Sequence, residues 1–302
     1  MKTRENYAHS ATFEEFITAF DAVKRSSNPL VSNVFFYTSH LKSVILGKKC
    51  LLYSYDDCLF LLIPRHGIYN DCLYAACSVA SLERRLKQLM HEPECSGKPL
   101  RILLIGKDAA IRPLYGPLSA CDFEDLGKLV KLTKPQVLEY MKNPLQEAAS
   151  QAEFAVKDDA EKILERLKTE FDLYSDNIPE LETIAMDAEK RHIAIIRKDN
   201  TIISLFYFHI QNMTFIDDYS WCSVKYRGTG IFKDIYTFVM QNLRTRCPAI
   251  RNATVFRPLT NKPSLAIAAH SGEQQFDFFM HTWVCWQGLK PNIQPAVISS
   301  HD

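Results

Sequence analysis

Two glycines and two cations stand close together in one stretch of the sequence, "VKYRGTGIFKDIYTFVMQNL", residues 224–243. Gly228 and Gly230 are two of only 10 glycines among 302 residues, and Lys225 and Arg227 precede them. Glycine adopts positive φ without strain and lets a ligand approach the backbone closely. The free N–H groups at the start of a helix attract anions, and nearby cations add to this attraction. The pattern therefore indicates a phosphate-binding turn.

The elements on either side of this turn can be read from the pattern of apolar residues. A strand ends near residues 222–224, and a helix begins near Ile231. The helix carries an apolar stripe that we expect to pack on a sheet. The stripe consists of Ile231, Ile235, Val239 and Leu243, joined by Phe232 and Phe238. The dinucleotide fingerprint G-x-G-x-x-G and the G-K-[ST] ending of the nucleotide-triphosphate loop are both missing from this stretch.

The composition limits the classes of partner. The formal net charge is +1, so no basic excess favours nucleic acid as a partner. The first residues, "MKTRENYAHSATFEEF", are charged and lack the apolar region of a secretion signal. No apolar run approaches the ~20 residues of a membrane helix. We expect a cytoplasmic protein without a membrane partner, and the sequence leaves its oligomeric state open.

The nine cysteines do not form a metal-binding pattern. They are scattered through the chain, and no C-x-x-C spacing occurs. An odd number of scattered cysteines is typical of reduced, mostly buried thiols in a cytoplasmic protein. We therefore predict neither disulfides nor a metal site, and we expect Cys222 to be inert.

The chain reads as two halves with the same order of elements: helix, helix, three strands, helix, strand. Helix-like patterns cover residues 12–26 and 34–46, and hairpin turns are predicted at Asp56-Asp57 and Asp199-Asn200. A polar segment near residues 143–152 is the candidate linker. We predict two α/β domains with mixed sheets, 1–145 and 153–302.

The turn after the third strand of the second half resembles a known motif. "KYRGTG" is similar to the pyrophosphate-binding motif Q/R-x-x-G-x-G/A of the GNAT superfamily of acyl-CoA-dependent N-acyltransferases, with Lys225 at the Gln/Arg position. Read from Arg227, the motif places Phe232 at the small-residue position. A second block, "NKPSLAIAAHSG", residues 261–272, resembles the N-x-x-S-x-x-x-x-x-x-x-G stretch of ribosomal-protein-acetylating members. The resemblance covers about residues 153–288.

The resemblance implies tandem GNAT-like domains, each a three-stranded antiparallel meander with helix–strand units. It implies acetyl-CoA or another acyl-CoA as co-substrate, with the pantetheine arm between two splayed strands and its amides bonded near Cys222 and Val224. A backbone N–H would polarise the thioester carbonyl. The implied cofactor-binding residues are Cys222, Val224, Lys225, Arg227, Gly228, Thr229, Gly230, Ile231, Phe232, Asn261 and Ser264.

The implied reaction is direct attack of an amine on the thioester. The acceptor would be a small molecule, such as an amino sugar or amino acid, or a protein N-terminus or lysine. A base is useful because the amine must be neutral to attack. Asp217 and Asp218 are candidates for this base, and strand alternation places Asp217 and Tyr219 on one face and Asp218 on the other.

Some residues argue for other interpretations. Many relatives carry a tyrosine acid where this chain has Ala268, so this acid is either missing or replaced by Ser264 or another group. A non-catalytic protein that binds CoA thioesters or a partner is the alternative, and an interaction module with an ordinary tight turn is a third hypothesis. We expect His209 and His281, which lie in apolar strands, to be core histidines.

The first half lacks the glycine turn. Its corresponding junction, "YAACSVASLERRLKQLM", contains no glycine, and its first cation is Arg84. A phosphate site cannot form there by the same chemistry. This half is either a degenerate copy without a cofactor site or an unrelated α/β domain.

Overall fold

The computed structural model describes residues 9–34, 41–42, 45, 49–135, 137 and 150–290. These residues form two compact units. Unit one comprises the described residues up to Gly127 together with those from His281 onward. Unit two comprises the described residues of Lys128–Met280.

Among the described residues, six strands and four α-helices lie wholly within unit one. The elements that lie wholly within it are β1 (His9–Ser10), α1 (Phe13–Arg25), β2 (Val31–Ser32), β3 (Leu51–Ser54), β4 (Cys58–Arg65), β5 (Tyr69–Ala76), α2 (Val79–Leu89), β6 (Leu100–Gly106), α3 (Asp108–Ile111) and α4 (Tyr115–Ser119). The sheet order is β1-β3-β4-β5-β6, followed by the end of β13 (Gln274–Cys285), and β2 pairs with β5. The β5–β6 pair is parallel, whereas β3, β4 and β5 form an antiparallel meander.

Unit two repeats this plan. Its elements are most of β7 (Glu124–Pro135), then β8 (Ala152–Phe154), α5 (Ala160–Glu170), α6 (Leu181–Glu189), β9 (Ile193–Lys198), β10 (Thr201–Gln211), β11 (Thr214–Cys222), α7 (Ile231–Arg246), β12 (Asn252–Pro258), α8 (Lys262–His270) and the start of β13. The sheet order is β7-β12-β11-β10-β9-β8. Only β11 and β12 pair in parallel among the described pairings of this unit. The predicted meander and helix–strand order are confirmed.

Two strands make the compact units differ from the predicted domains 1–145 and 153–302. From Lys128 onward β7 belongs to unit two, where it pairs with β12. The residues of β13 from His281 onward belong to unit one. A strand belongs to the sheet with which it pairs, and such long-range pairing leaves no mark in local composition. Residues 143–149 of the predicted linker and most of the helix predicted over 34–46 lie outside the described residues.

The sheet of unit two buries apolar side chains on both faces. Ile193 and Ile195 of β9 pack in a cluster with α5 and α6, whereas Ala194 and Ile196 pack in a cluster with α7. Because side chains alternate along a strand, α5 and α6 cover one face and α7 covers the other. The predicted stripe on α7 is confirmed at its buried centre, which consists of Ile235, Val239 and Leu243.

The predicted hairpin turns are also confirmed. Asp199 and Asn200 have φ values of 49° and 60° and connect β9 to β10, as expected for a tight hairpin. Asp56 and Asp57 lie between β3 and β4. No helix of the described residues is both long and apolar enough to cross a membrane.

All nine cysteines are free thiols, and most of them are buried. Burial raises the pKa of Cys95 and of Cys121 to about 11, so both thiols stay protonated near neutral pH. Only Cys77 and Cys247 are partly exposed among the nine.

Candidate functional site

The two parallel strands of unit two separate part-way along their length. Their pairing runs from Thr214 with Asn252 to Asp217 with Val255. Beyond that point β11 continues to Cys222 and β12 continues to Pro258 without pairing to each other. We call this opening the β11–β12 gap. From Asp217 to Cys222 it extends along β11 for about 16 Å, and backbone groups of β11 that face it have no strand partner there.

A β-bulge lies at the closed end of this gap. In the pairing of β10 with β11, Tyr207 is opposite Tyr219 and Phe208 is opposite Asp217, so Asp218 is an extra residue. Bulges interrupt the alternation of side chains and redirect them. The prediction that Asp217 and Tyr219 share a face is therefore wrong. Tyr219 packs on the face of α5 and α6, where its hydroxyl donates to the carbonyl of Asp176 at 2.7 Å.

Asp217 faces the α7 side and ties the two separating strands together. The hydroxyl of Ser220 lies 2.8 Å from each of its carboxylate oxygens. From β12, Arg257 Nη2 donates to Oδ2 at 3.1 Å. Burial raises the pKa of Asp217, although the charge of Arg257 and the hydrogen bond of Ser220 oppose the shift.

Asp218 pairs with a histidine of the neighbouring strand. The carboxylate Oδ2 lies 2.6 Å from His209 Nδ1. The side chains are 26% and 39% exposed, respectively, so the prediction that His209 belongs to the core is wrong. Burial opposes the charge of the ring, but the hydrogen bond and charge of Asp218 outweigh it, and the pKa of His209 is raised. By contrast His281 in unit one is buried, and its Nε2 lies 2.6 Å from Asp125.

The chain between β11 and α7, residues 223–230, forms a glycine loop. It begins with a single 3-10 turn, Val224–Tyr226. Gly228 and Gly230 have φ values of 78° and 90°, which confirms the predicted positive φ at both positions. A Cβ atom at either glycine would meet no atom within 4 Å, so the loop borders open space. The loop therefore requires glycine for its backbone conformation and leaves room for a ligand.

The glycine loop presents a set of unused donors. Gly230 is the N-cap of α7, and no side chain caps this helix. The N-terminus of a helix leaves N–H groups without intrahelical partners and carries a partial positive charge. In this loop and the first turn of α7, no hydrogen bond of the described residues uses the N–H groups of Val224, Lys225, Gly228, Gly230, Ile231, Phe232 and Lys233. An anion of the size of a phosphate group is the ligand that such donors suit.

Cationic side chains lie around the same loop. The ammonium groups of Lys225 and Lys198 lie 5.8 and 5.6 Å from the ring centroid of Tyr226. Arg227 folds back, and its Nε donates to the carbonyl of Cys222 at 3.3 Å. That carbonyl is one of the groups expected to bond a ligand in the β11–β12 gap, so such a ligand would have to displace Arg227.

Comparison with solved structures identifies this arrangement of elements. An N-acetyltransferase related to GCN5 from Sphaerobacter thermophilus aligns over 92% of this chain and 95% of its own, with a TM-score of 0.53 and 10% identity. A tandem GNAT protein from the clavulanic acid biosynthesis pathway aligns over 93% and 98%, with a TM-score of 0.55 and 8% identity. The fold is that of the GNAT N-acetyltransferases. No family model matches the sequence, and no curated protein is significantly similar to it.

A further GNAT structure aligns with the chain as part of a larger protein. It contains the glucosamine N-acetyltransferase region of a fungal multi-domain GH3 β-N-acetylglucosaminidase and aligns over 93% of this chain and 37% of its own, with a TM-score of 0.58 and 10% identity. At such low identities the comparison establishes only the fold of this chain. Its chemistry has to be inferred from its own residues.

The second block that resembles the GNAT superfamily lies at the start of α8. Asn261 accepts a hydrogen bond from the backbone N–H of Ser264 at 3.1 Å, so its side chain serves as the N-cap of this helix. Ser264 is partly buried, and Ala268 is buried within the helix. The structure thus gives Asn261 a structural role besides the predicted contact with the cofactor.

Three polar groups near Asp217 escaped the sequence interpretation of the GNAT-like half. They are Arg257 of β12, Tyr236 of α7 and Glu273, which follows α8. Burial raises the pKa of Tyr236 to about 12, and the nearby charges of Asp217 and Glu273 add to this shift. The Oε2 atom of Glu273 is buried without a hydrogen-bond partner among the described residues. These residues come from different elements, so no local spacing could have joined them.

Proposed function

We propose that unit two is an acyl-CoA-dependent N-acyltransferase, most simply an N-acetyltransferase, that moves the acyl group to an amine by direct attack. The observation that carries this proposal is the continuity of two features. The β11–β12 gap leads from its closed end at Asp217 directly to the glycine loop and the uncapped start of α7. A pyrophosphate held at the loop would place an attached arm along the gap.

The binding step draws on the unused donors of the loop. The pyrophosphate of acyl-CoA would accept from the N–H groups between Gly228 and Lys233, with Lys225 and Arg227 supplying charge. As Arg227 turns toward the phosphates, it would release the Cys222 carbonyl for an amide of the pantetheine arm. Phe232 is 40% exposed and lies 6.1 Å from the ring of Phe206, so it would border the cofactor.

Much of the acceleration of the chemical step would come from positioning. An amine held beside the thioester reacts as in an intramolecular reaction, which lowers the entropic part of the barrier. A backbone N–H of β11 in the gap would stabilise the negative charge that develops on the thioester oxygen. Among the predicted catalytic residues, Asp217 already accepts from Ser220 and Arg257, which supports a role in holding the two strands together. Ser264 remains a predicted substitute for the missing tyrosine.

One observation favours a second function, namely binding of CoA thioesters without turnover. Ala268 offers no hydroxyl to protonate the leaving thiolate. The two functions share the cofactor site and differ only in thiol release when an amine is added.

Thermal unfolding with and without acetyl-CoA tests cofactor binding. A ligand that binds only the native state stabilises it by about 2.7 kcal/mol at a hundredfold excess over its Kd. We expect this shift for the parent protein and its loss in Gly228→Glu, whose carboxylate enters the phosphate position. The matched control is Gly67→Glu in unit one, because Gly67 also has positive φ and open space at its Cβ position. The absence of any shift with acetyl-CoA and longer acyl-CoAs would contradict the proposal.

Turnover is tested by release of the CoA thiol with amines of the expected classes. Suitable acceptors are glucosamine, glycine and two short peptides, one with a free N-terminus and one with a free lysine. Thiol release above the protein-free rate supports the enzyme. If the protein binds acetyl-CoA but none of these amines causes release of the thiol, the non-catalytic alternative is favoured.

A further inference from the structure

The bulge in β11 creates a pair of side chains whose geometry suits proton transfer. Asp218 is the extra residue of the bulge, and it follows directly on Asp217, the last residue of β11 that pairs with β12. Its carboxylate therefore lies beside the closed end of the β11–β12 gap. Across the strand pair it holds His209 Nδ1 at 2.6 Å. Bulges commonly redirect side chains next to active sites.

The ring of His209 has one nitrogen engaged and one available. An Nδ1–H that donates to the Asp218 carboxylate leaves Nε2 unprotonated in the neutral ring, where it can accept a proton. No hydrogen bond of Nε2 occurs among the described residues, and the side chain is 39% exposed. This is the arrangement of a base oriented by a carboxylate.

We propose that His209, oriented by Asp218, is the general base that receives a proton from the acceptor amine, an inference that rests on the proposed acyl transfer. The amine enters as an ammonium ion, and His209 Nε2 takes one of its protons. The nitrogen lone pair then forms the C–N bond, and the C–S bond breaks. The leaving thiolate takes the second proton that the nitrogen loses, and the proton on His209 passes to solvent.

Other ionisable groups surround this pair on the same face of the sheet. Tyr207 precedes His209 on β10, and its hydroxyl donates to Asp187 of α6 at 2.6 Å. His192 Nδ1 lies 3.7 Å from the same carboxylate of Asp187. Two more groups complete the set, Lys190, whose ammonium lies 3.6 Å from Asp187, and Tyr219 of β11. Asp187 adds to the negative potential at His209, so it acts in the same direction as Asp218.

The position of the pair also separates the roles of the two predicted aspartates. Asp217 faces α7 and is engaged by a cation and a hydroxyl, whereas Asp218 lies on the face of α5 and α6 and engages only an imidazole among its described hydrogen bonds. An amine that approaches from the face of α5 and α6 therefore meets His209. Acyl-CoA would enter the gap from the glycine loop at its other end.

The test measures kcat/KM for thiol release against pH, with acetyl-CoA and the fastest amine from the acceptor set. We expect the parent rate to fall as pH drops through the raised pKa of His209, because the protonated ring cannot accept a proton. In His209→Gln this acidic limb disappears and kcat falls by about 100-fold, the lower end of what general bases contribute. In Asp218→Asn the limb moves to lower pH, since the group that raises the pKa of His209 is gone.

The controls separate this proposal from the proposed function. His270→Gln is the matched control, because His270 is an exposed histidine of α8 outside the pair, and its profile should equal that of the parent. Each variant must keep the thermal shift with acetyl-CoA. If His209→Gln does not fold, the shift of the acidic limb in the pH profile of Asp218→Asn decides whether the pair is the base. A His209→Gln rate within twofold of the parent, or an unmoved limb in Asp218→Asn, overturns the pair as the base. The absence of transfer by the parent protein overturns the proposed function and the pair with it.

Discussion

Both units contain a parallel pair of strands that separates, and they differ in what lies between the strands. In unit two the β11–β12 gap leads to an open glycine loop. In unit one β5 and β6 pair only from Asn70 with Leu100 to Asp71 with Arg101, and then they also part. There the chain itself enters the opening, because β2 pairs with the far end of β5.

The side chain of Asn33 closes the opening in unit one. Its Nδ2 donates to the carbonyl of Cys72 at 3.0 Å on β5 and to that of Leu103 at 3.4 Å on β6. Its Oδ1 accepts from the N–H of Tyr74 at 2.7 Å. One amide thus satisfies backbone groups of both strands, as an amide of a bound ligand would do in unit two.

The turns that follow the strands differ in the same sense. In unit one only Cys77 and Ser78 separate β5 from α2, and the hydroxyl of Ser78 accepts from the N–H of Ser81 at 3.0 Å. In unit two the loop of residues 223–230 ends at Gly230, which caps α7 without a side chain. The same fold can therefore satisfy its free backbone groups internally or leave them to a ligand. We propose that unit one is a copy without a cofactor site.

The largest expected effect comes from opening unit one. Asn33→Ala removes the amide and leaves buried groups of Cys72 and Tyr74 without partners, so we expect a loss of about 3 kcal/mol in the free energy of unfolding. Denaturant titration measures it. Ser32→Ala removes two partly buried hydrogen bonds, one to the Tyr74 carbonyl and one from the Val34 N–H, and should cost less, about 2 kcal/mol. Equal losses in the two variants would mean that Asn33 does not bridge the strands.

A smaller effect comes from a largely buried carboxyl group of unit two. Burial raises the pKa of Asp176, on the connection between α5 and α6, from 3.8 to about 6. The native state thus binds this proton more tightly than the unfolded state. The resulting stability is present at low pH and is lost as pH rises through about 6. The variant Asp176→Asn does not have this loss. As pH rises from about 4 to about 8, its free energy of unfolding should therefore increase by about 2 kcal/mol relative to that of the parent protein.

Denaturant titrations at the two pH values check this expectation. The control is Asp199→Asn in the turn between β9 and β10, because Asp199 is exposed and lies outside this connection, and it should show no such gain. A difference between parent and Asp176→Asn that does not change with pH would show that Asp176 has an ordinary pKa.

The smallest effect compares the two helix starts. Ser78→Ala removes a side-chain cap and should cost about 1 kcal/mol of stability without changing the thermal shift with acetyl-CoA. Gly230→Ala forces alanine into a left-handed conformation, so it should cost a similar amount and also weaken the shift. If Ser78→Ala weakened the shift as much as Gly230→Ala, unit one would take part in cofactor binding.

Sequence patterns predicted the features that depend on local residues. The order of elements, the stripe on α7 and the positive φ of Gly228 and Gly230 all follow from periodicity and from the special freedom of glycine. The bulge at Asp218 does not, because nothing in "FIDDYSW" distinguishes an extra residue from a regular strand. Because of that one extra residue, Asp217 and Tyr219 lie on opposite faces of the sheet and not on the same face, and Asp218 contacts His209.

Long-range pairing accounts for the other differences. Asn33 lies about 40 residues before the strand that it bonds, and β7 pairs with β12 across more than 100 residues of sequence. Neither contact changes local composition or periodicity. The same holds for the cluster around Asp217, where Arg257 comes from another strand. A single sequence gives no signal for such pairs, whereas it does report turns and helix caps.

The two partly exposed thiols allow each unit to be labelled separately. Cys77 lies in unit one just before α2, and Cys247 lies in unit two just after α7. The corresponding helix of each unit therefore has its own attachment point for a fluorine or fluorescent label, at opposite ends of the helix. Replacing one of these cysteines with serine leaves the other as the preferred target, because the remaining seven thiols are shielded from reagent. Acetyl-CoA should then change the signal of the label at Cys247 while the label at Cys77 stays silent.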